Sequence, residues 1–232
     1  MKANLLKELE YMEKYNMNCM IFHIRTTNNA FYKTDLAPID SNYGTYTSFD
    51  DFDYLEWLIE ECHKRDIEFH AWLNPYRIKA SGYAAGTTAS DVANTYSNYP
   101  KNPASKADNI LMTYSNGAIL NPCKEEVQDY IVDVCIEVME NYDVDAIHFD
   151  DYFYISGVET SKSGDWKRQQ VDLFIEDLSE QLRAYNKEHN ITPKTIKKSV
   201  RDSIKVTQAE DIGVEYKLEK EEDIKDAITR LT

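Results

Sequence analysis

Three short apolar segments, at residues 18–25, 67–75 and 146–154, most strongly constrain the fold of this chain. Near-continuous apolar runs of this length are typical of parallel β-strands that are covered on both faces. Apolar side chains at three- and four-residue intervals predict amphipathic helices before, between and after the runs, at residues 5–15, 53–65, 127–142 and 166–189. Strands that alternate with helices predict an α/β fold with a parallel sheet.

Such a sheet is either open and doubly wound or curled into a (β/α) barrel. The long loops and polar residues of this chain follow the predicted strands, where barrel enzymes carry their chemistry. A glycine-rich phosphate-binding motif, which would favour the open sheet, follows none of the runs. We therefore predict an α/β fold of the (β/α)8 TIM-barrel type. It is incomplete, because about three or four of eight β/α units are present and a full barrel takes ~250 residues.

The longest interruption of the pattern is a segment at residues 76–121 that is rich in Gly, Ser, Asn, Pro and Tyr. Long loops in compact domains are usually functional. The sequence predicts one short strand within it, at residues 110–114.

Charge and hydropathy exclude several classes of partner. With 41 acidic and 26 basic residues, the 232-residue chain has a formal charge of −15 and repels phosphates and anionic membranes. We therefore expect no nucleic-acid partner. No window approaches the ~20 apolar residues of a membrane span, and charged residues near the N-terminus exclude a signal peptide within this chain.

The four cysteines are widely spaced and form no Cys-x-x-Cys pair, so a zinc knot or a redox motif is not expected. Cys19, Cys62 and Cys135 lie in apolar runs and are interpreted as small buried hydrophobic residues. We predict no metal and no cofactor.

The segment at residues 146–154 ends in two carboxylates among aromatic residues. Alternation along a strand puts His148, Asp150 and Tyr152 on one face and Asp151 on the other. An ionised aspartate beside aromatic rings suits sugar chemistry, because the sugar stacks on the rings while positive charge develops at its anomeric carbon. Asp150 is therefore the candidate catalytic carboxylate, as a glycosidase nucleophile or an oxocarbenium stabiliser.

Aligning the three strands by their histidines predicts layers on one face. The layers are His23, His70 and His148; then Arg25, Trp72 and Asp150; then Thr27, Asn74 and Tyr152. In this alignment Arg25 lies near Asp150 and keeps its carboxylate ionised. Three histidines in one layer are also compatible with a metal site, although one ligand per strand is a weak spacing signal.

A structural interpretation stands beside each functional one. Each histidine is compatible with a hydrogen-bonded core residue, and Asp150 with a buried carboxylate that ties down a helix or loop. Arg25, Asn74 and Arg77 are equally compatible with loop bracing. Trp166, at the start of a helix, is interpreted as a core anchor.

Five motifs together resemble the glycosyl hydrolase-like ten family of bacterial proteins. They are Phe-His-Ile-Arg at 22–25, Asp-Leu-Ala-Pro at 35–38, Phe-His-Ala-Trp-Leu-Asn-Pro-Tyr-Arg at 69–77, Leu-Asn-Pro at 120–122 and His-Phe-Asp-Asp-Tyr-Phe-Tyr at 148–154. The resemblance implies a TIM-type barrel related to the amylase-like glycosidases. For some members it implies cleavage of peptidoglycan glycan strands, and hence an exported or cell-envelope protein.

The resemblance implies that Asp150 is the nucleophile, because it stands at the fourth-strand position where related barrels keep theirs. It also implies a substrate pocket, to which the aromatic argument adds Trp72. The expected substrate-binding residues are Arg25, His70, Trp72, Asn74, Tyr76, Arg77, His148 and Tyr152.

The resemblance covers residues 7–189. Family members carry one more strand before this part and four after it, and the later strands supply the partner carboxylate that hydrolysis requires. We therefore predict a partial barrel domain at residues 1–190. Residues 191–232 are predicted to form a charged tail with a terminal helix at 223–231.

From these inferences we predict that the chain is a glycoside hydrolase-like protein that acts on a bacterial polysaccharide or oligosaccharide. Two alternatives stay open. One is a non-catalytic carbohydrate-binding module that uses Trp72, Tyr76 and Tyr152, and the other is an inactive fragment of a truncated gene.

Overall fold

The computed structural model describes residues 2–40, 52–107, 109–150, 154 and 159–192. All of these belong to one compact unit, Met1–Ile196. The described elements, in chain order, are α1 (Lys2–Lys14), β1 (Cys19–Arg25), α2 (Tyr54–His63), β2 (Glu68–Leu73), β3 (Arg77–Lys79), α3 (Ala89–Asn94), a 3-10 turn (Pro103–Ser105), β4 (Leu111–Tyr114), β5 (Gly117–Leu120), α4 (Glu125–Asn141), β6 (Ala146–His148) and α5 (Gly164–Glu188).

The three predicted strand segments form one parallel sheet in the order β1–β2–β6. Helix α2 connects β1 to β2, and α4 precedes β6, so the predicted strand–helix alternation is confirmed. The last strand is shorter than expected and ends at His148. Within the described residues, no helix is both long enough and apolar enough to cross a membrane.

The two faces of the parallel sheet differ in burial. On the helix-covered face, Phe69, Ala71 and Leu73 are fully buried in the core. On the opposite face, which we call the open face, His23 and Trp72 are half-buried and Ile21 is 48% exposed. Since alternate side chains of a strand point to opposite faces, the apolar set of β2 packs under the helices and the polar set lines the open face.

Helix α2 shows why the periodic segments were predictable. Its N-cap, Asp53, accepts hydrogen bonds from the backbone N–H groups of Leu55 and Glu56, each at 3.0 Å, which satisfies two donors of the first turn. Four residues at helical spacing then face the sheet and are buried: Leu55, Leu58, Ile59 and Cys62.

The long segment after β2 contains more regular structure than predicted. Strands β3, β5 and β4 form a second, antiparallel sheet in that order, whereas the sequence indicated one strand at residues 110–114. Strand β3 has the sequence Arg-Ile-Lys and β5 the sequence Gly-Ala-Ile-Leu, so neither has the run of large apolar residues that indicates β4, which explains the omission. Gly117 is required here because a Cβ atom would lie 2.5 Å from the carbonyl oxygen of Ala80.

Candidate active site

The carboxyl end of the parallel sheet carries a row of three ring side chains on the open face. His23 is the register partner of Trp72, and Trp72 is the partner of His148. The predicted alignment of the three histidines in one layer is therefore wrong. His70 pairs with Ile21 and Ala146, one step nearer the amino end of the sheet.

The three rings are in direct contact. The His23 imidazole stacks on the Trp72 indole, with ring centroids 3.8 Å apart and an interplanar angle of 6°. The His148 ring meets the same indole edge-on, at 6.1 Å and 81°. Contacts on two sides fix the orientation of Trp72, which is what a binding site requires of an aromatic side chain.

Asp150 follows this row two residues after His148 and is half-buried. It is close enough to His23 for its charge to act on that imidazole. Its Oδ1 atom is buried and, within the described part of the chain, makes no hydrogen bond. A buried carboxylate oxygen without a partner is unfavourable in an isolated fold, so Asp150 Oδ1 is available to a ligand, an ion or a water molecule.

The electrostatic surroundings of His23 identify its charged neighbours. Burial has the largest effect and lowers the pKa of His23 below its ordinary value. The carboxylate of Asp150 opposes this shift and raises the pKa, the Arg77 cation lowers it, and Asp40 has a weaker raising effect. His23 is thus held neutral near pH 7, with one ring nitrogen able to donate and the other able to accept a hydrogen bond.

Asp150 is one of four residues around this row that have a buried polar atom without a hydrogen bond to the described residues. The four atoms are His23 Nε2, Trp72 Nε1, Asn74 Oδ1 and Asp150 Oδ1. Asn74 is otherwise firmly held, since its Nδ2 donates to the carbonyl oxygen of Thr26 at 2.9 Å. Together they offer donors and acceptors, which complement a ligand rich in hydroxyl groups.

Arg25 does not belong to this group, and its expected position beside Asp150 is wrong. The register shifts between His23 and Arg25, which turns the arginine side chain toward helix α4. Its guanidinium is 1% exposed and bonds Asn28, and it lies 5.2 Å from the centroid of the Tyr130 ring. Asn102 joins the same buried network by donating to Tyr130 Oη at 2.7 Å. Arg25 therefore holds the loop after β1 against α4.

Tyr76 also lies away from the open face. It is completely buried, and its ring packs against Phe174 of α5 with centroids 5.7 Å apart. Burial raises its pKa. The structure gives Tyr76 a packing role.

The remaining predicted residues divide by position. Arg77 begins β3, is half-buried and acts electrostatically on His23. His70 lies on the open face but pairs with Glu68, with Nε2 and Oε2 3.4 Å apart. Tyr152 lies outside the described residues, as do Asp151 and the predicted helix at 223–231.

Two residues of this site were not selected from the sequence. His23 was interpreted as a core histidine, and Asp40 was not considered. A loop that follows a barrel-type strand is where functional carboxylates are expected, so the position of Asp40 after β1 was an available signal. His23 could not be recognised as a site residue, because its contact with Trp72 depends on a strand register that the sequence does not specify.

Comparison with known proteins places these features in a family. A sequence model described as "Glycosyl hydrolase-like 10" matches residues 2–208. Glycosyl hydrolase YngK of Bacillus subtilis is 33% identical over 202 residues, which covers 79% of this chain and 38% of YngK. Glycosyl hydrolase DigH of Escherichia coli K12 is 25% identical over 196 residues, covering 78% of this chain and 44% of DigH. The chain thus spans about two fifths of the length of these relatives.

Among solved structures, a hypothetical protein from Ruminiclostridium thermocellum aligns with a TM-score of 0.51 and 12% identity. The alignment covers 78% of this chain and 87% of that one. At this identity the likeness concerns the fold alone, and it agrees with an α/β architecture. The family match extends over most of the sequence, and the chain therefore belongs to the glycosyl hydrolase-like 10 family.

Proposed function

We propose that the carboxyl end of the parallel sheet binds a bacterial polysaccharide, and that Asp150 is the nucleophile in hydrolysis of its O-glycosidic bonds. The observation that carries this proposal is the set of unpartnered buried polar atoms around the ring row. Each would cost roughly 1–3 kcal/mol if it stayed unpaired. A sugar supplies hydroxyl groups that donate and accept, together with a C–H face that can pack on an aromatic ring of the row.

The chemistry follows from the charges at the site. An oxocarbenium-like transition state places positive charge at the anomeric carbon, and the Asp150 carboxylate attacks that carbon as its bond to the leaving-group oxygen breaks. Water then hydrolyses the glycosyl ester and frees the Asp150 carboxylate. Neutral His23, Trp72 Nε1 and Asn74 Oδ1 orient the sugar hydroxyls. Arg77 lies near enough to influence His23 and is proposed to contact the substrate.

Hydrolysis also requires a second carboxyl group as the acid. Family resemblance puts this group in strands that follow the last helix. Within the described residues, Asp40 is the second carboxylate that acts on His23, and we include it as a candidate.

We further propose that the chain is part of a TIM-type barrel. The three parallel strands pair in chain order, β1–β2–β6, as neighbouring strands of such a barrel do, and the candidate site lies at their carboxyl ends. Residues 1–190 would form the barrel part and residues 191–232 a separate charged tail.

For the substrate, we propose peptidoglycan glycan strands, and for the location the cell envelope. The support is the motif resemblance, together with two relatives that are named glycosyl hydrolases.

The test is release of reducing ends from denuded glycan strands and from oligosaccharides by the 232-residue chain. Asp150→Asn is expected to lower the rate by at least about 10³-fold, because the amide cannot act as a nucleophile. The matched control is Asp145→Asn, which changes the aspartate at the other end of the same strand and is expected to keep the rate. Asp40→Asn shows whether Asp40 is the acid.

Three results would contradict the proposal. Release that Asp150→Asn does not change would remove Asp150 from the mechanism. Saturable glycan binding by calorimetry, without bond cleavage, would identify a carbohydrate-binding module. A cooperatively folded chain that neither binds nor cleaves glycans would be an inactive fragment.

A further inference from the structure

A second group of polar side chains lies at the amino end of the same open face. Cys19 begins β1 and is the register partner of Glu68, which begins β2. His70 follows Glu68 by two residues and therefore points to the same side. The thiol sulfur, one carboxylate oxygen and one ring nitrogen all lie within 4.8 Å of one another.

The surroundings of these three residues differ from those of the core cysteines. Cys62 and Cys135 are completely buried among apolar side chains, as predicted, but Cys19 is only half-buried and lies beside charged groups. Glu68 and His70 are 15% and 25% exposed, and their side chains are 3.4 Å apart. The group is thus partly desolvated, polar and reachable from solvent.

We propose that Cys19, Glu68 and His70 bind a divalent cation of the zinc type. Thiolate, imidazole and carboxylate form a mixed set of soft and hard ligands that suits Zn²⁺, with a water molecule as the fourth ligand. Zn–S bonds of about 2.3 Å and Zn–N or Zn–O bonds of about 2.0–2.2 Å put tetrahedral ligand atoms roughly 3.3–3.8 Å apart. The three ligand atoms now lie within 4.8 Å of one another, so a bound cation would draw them together by about 1 Å.

This site is separate from the proposed glycan site. Cys19 precedes His23 by four residues, which is about 13 Å along the strand. The cation would join the first residues of β1 and β2 and so stabilise the sheet. A metal was not expected from the sequence, because no two cysteines are close along the chain and the ligands meet only through strand pairing.

The experiment is a titration of the reduced 232-residue chain with Co²⁺, a spectroscopic substitute for Zn²⁺. We expect one equivalent to bind, with a thiolate-to-cobalt charge-transfer band and visible bands of tetrahedral intensity, and Zn²⁺ to displace it. Cys19→Ser should abolish the charge-transfer band. Glu68→Gln and His70→Ala should each raise the Kd for Co²⁺ by about tenfold or more.

The matched control is Cys123→Ser, which removes the other half-buried thiol and should leave the cobalt spectrum unchanged. X-ray absorption of the zinc-loaded wild-type chain keeps the test independent of variant folding. The spectrum should show one sulfur ligand to zinc, with nitrogen or oxygen atoms as the other ligands. Absence of a thiolate band, persistence of the band in Cys19→Ser, or a zinc shell without sulfur would overturn the proposal.

Discussion

Two aspartates flank the short strand β6, and they differ in what surrounds them. At the amino end, Asp145 Oδ2 accepts from the backbone N–H of Phe69 at 2.7 Å and lies 2.9 Å from His63 Nε2. At the carboxyl end, Asp150 has a buried oxygen without a hydrogen bond to any described residue. The same side chain, five residues apart, serves in one place to join β2 to β6 and in the other is available to a ligand.

The carboxylate without a partner is therefore the candidate for a functional role. Asp145 Oδ2 is paired within the fold, whereas Asp150 is half-buried and its Oδ1 has no hydrogen bond to a described residue. Arg25 and Arg77 were both predicted to bind substrate, and they also lie in different surroundings. Arg25 is enclosed by Asn28 and Tyr130, while Arg77 acts on His23.

The largest effect is expected for the arginine pair. Arg25→Ala should lower the free energy of unfolding by about 2–4 kcal/mol, because it leaves a cavity and removes a partner of buried Asn28 and Tyr130. Arg77→Ala, at a half-buried strand end, should cost no more than about 1 kcal/mol. Urea unfolding of both variants provides the measurement. Equal losses would mean that the two arginines are not distinguished by burial.

Variants of Asp145 and Asp150 should lose less free energy of unfolding than Arg25→Ala does. Asp145→Ala removes the acceptor shared by Phe69 and His63 and should cost about 1–3 kcal/mol. Asp150→Ala should not lower the free energy of unfolding and should raise it by about 1 kcal/mol, since it removes a buried oxygen that has no hydrogen bond to a described residue. Chemical denaturation of the two variants side by side checks this. A loss of stability in Asp150→Ala would assign Asp150 a structural role.

The smallest effects concern the pKa of His23, which NMR titration of the imidazole protons measures directly. Asp150→Asn removes a charge that raises this pKa and should lower it further. Arg77→Gln removes a cation that lowers it and should raise it. Arg25→Gln should leave it nearly unchanged, and a shift as large as that of Arg77→Gln would return Arg25 to the site.

The same histidine has a consequence for stability. Its folded pKa lies below the value of about 6.5 expected in the unfolded chain. Between these two pH values the unfolded state binds more protons than the folded state. The contribution of neutral His23 to the free energy of unfolding is therefore complete above about pH 6.5 and declines as the pH falls. His23→Gln should flatten this decline in a series of unfolding curves. An unchanged slope would show that other groups cause it.

Sequence reasoning identified the parallel strands and the main helices because their apolar periods are long. It could not set the strand register, since the shift between His23 and Arg25 has no signature in composition or spacing. Asp150 was predicted to be the pocket acid on the side of His148, and it lies close enough to act on His23, but Arg25 was assigned to it from an alignment that the shift breaks. The antiparallel sheet was largely missed because β3 and β5 contain only one and two large apolar residues, too few to indicate a strand.

The central claim is that unpartnered polar atoms at the carboxyl end of the sheet bind a glycan. The indole N–H resonance of Trp72 tests it most directly, since Trp72 Nε1 is one of those atoms. In a ¹⁵N-correlated titration with glycan fragments, assigned with a Trp72→Phe variant, this resonance should shift saturably while those of Trp57 and Trp166 stay fixed. Binding that leaves the Trp72 resonance unmoved, or no binding at all, would contradict the account.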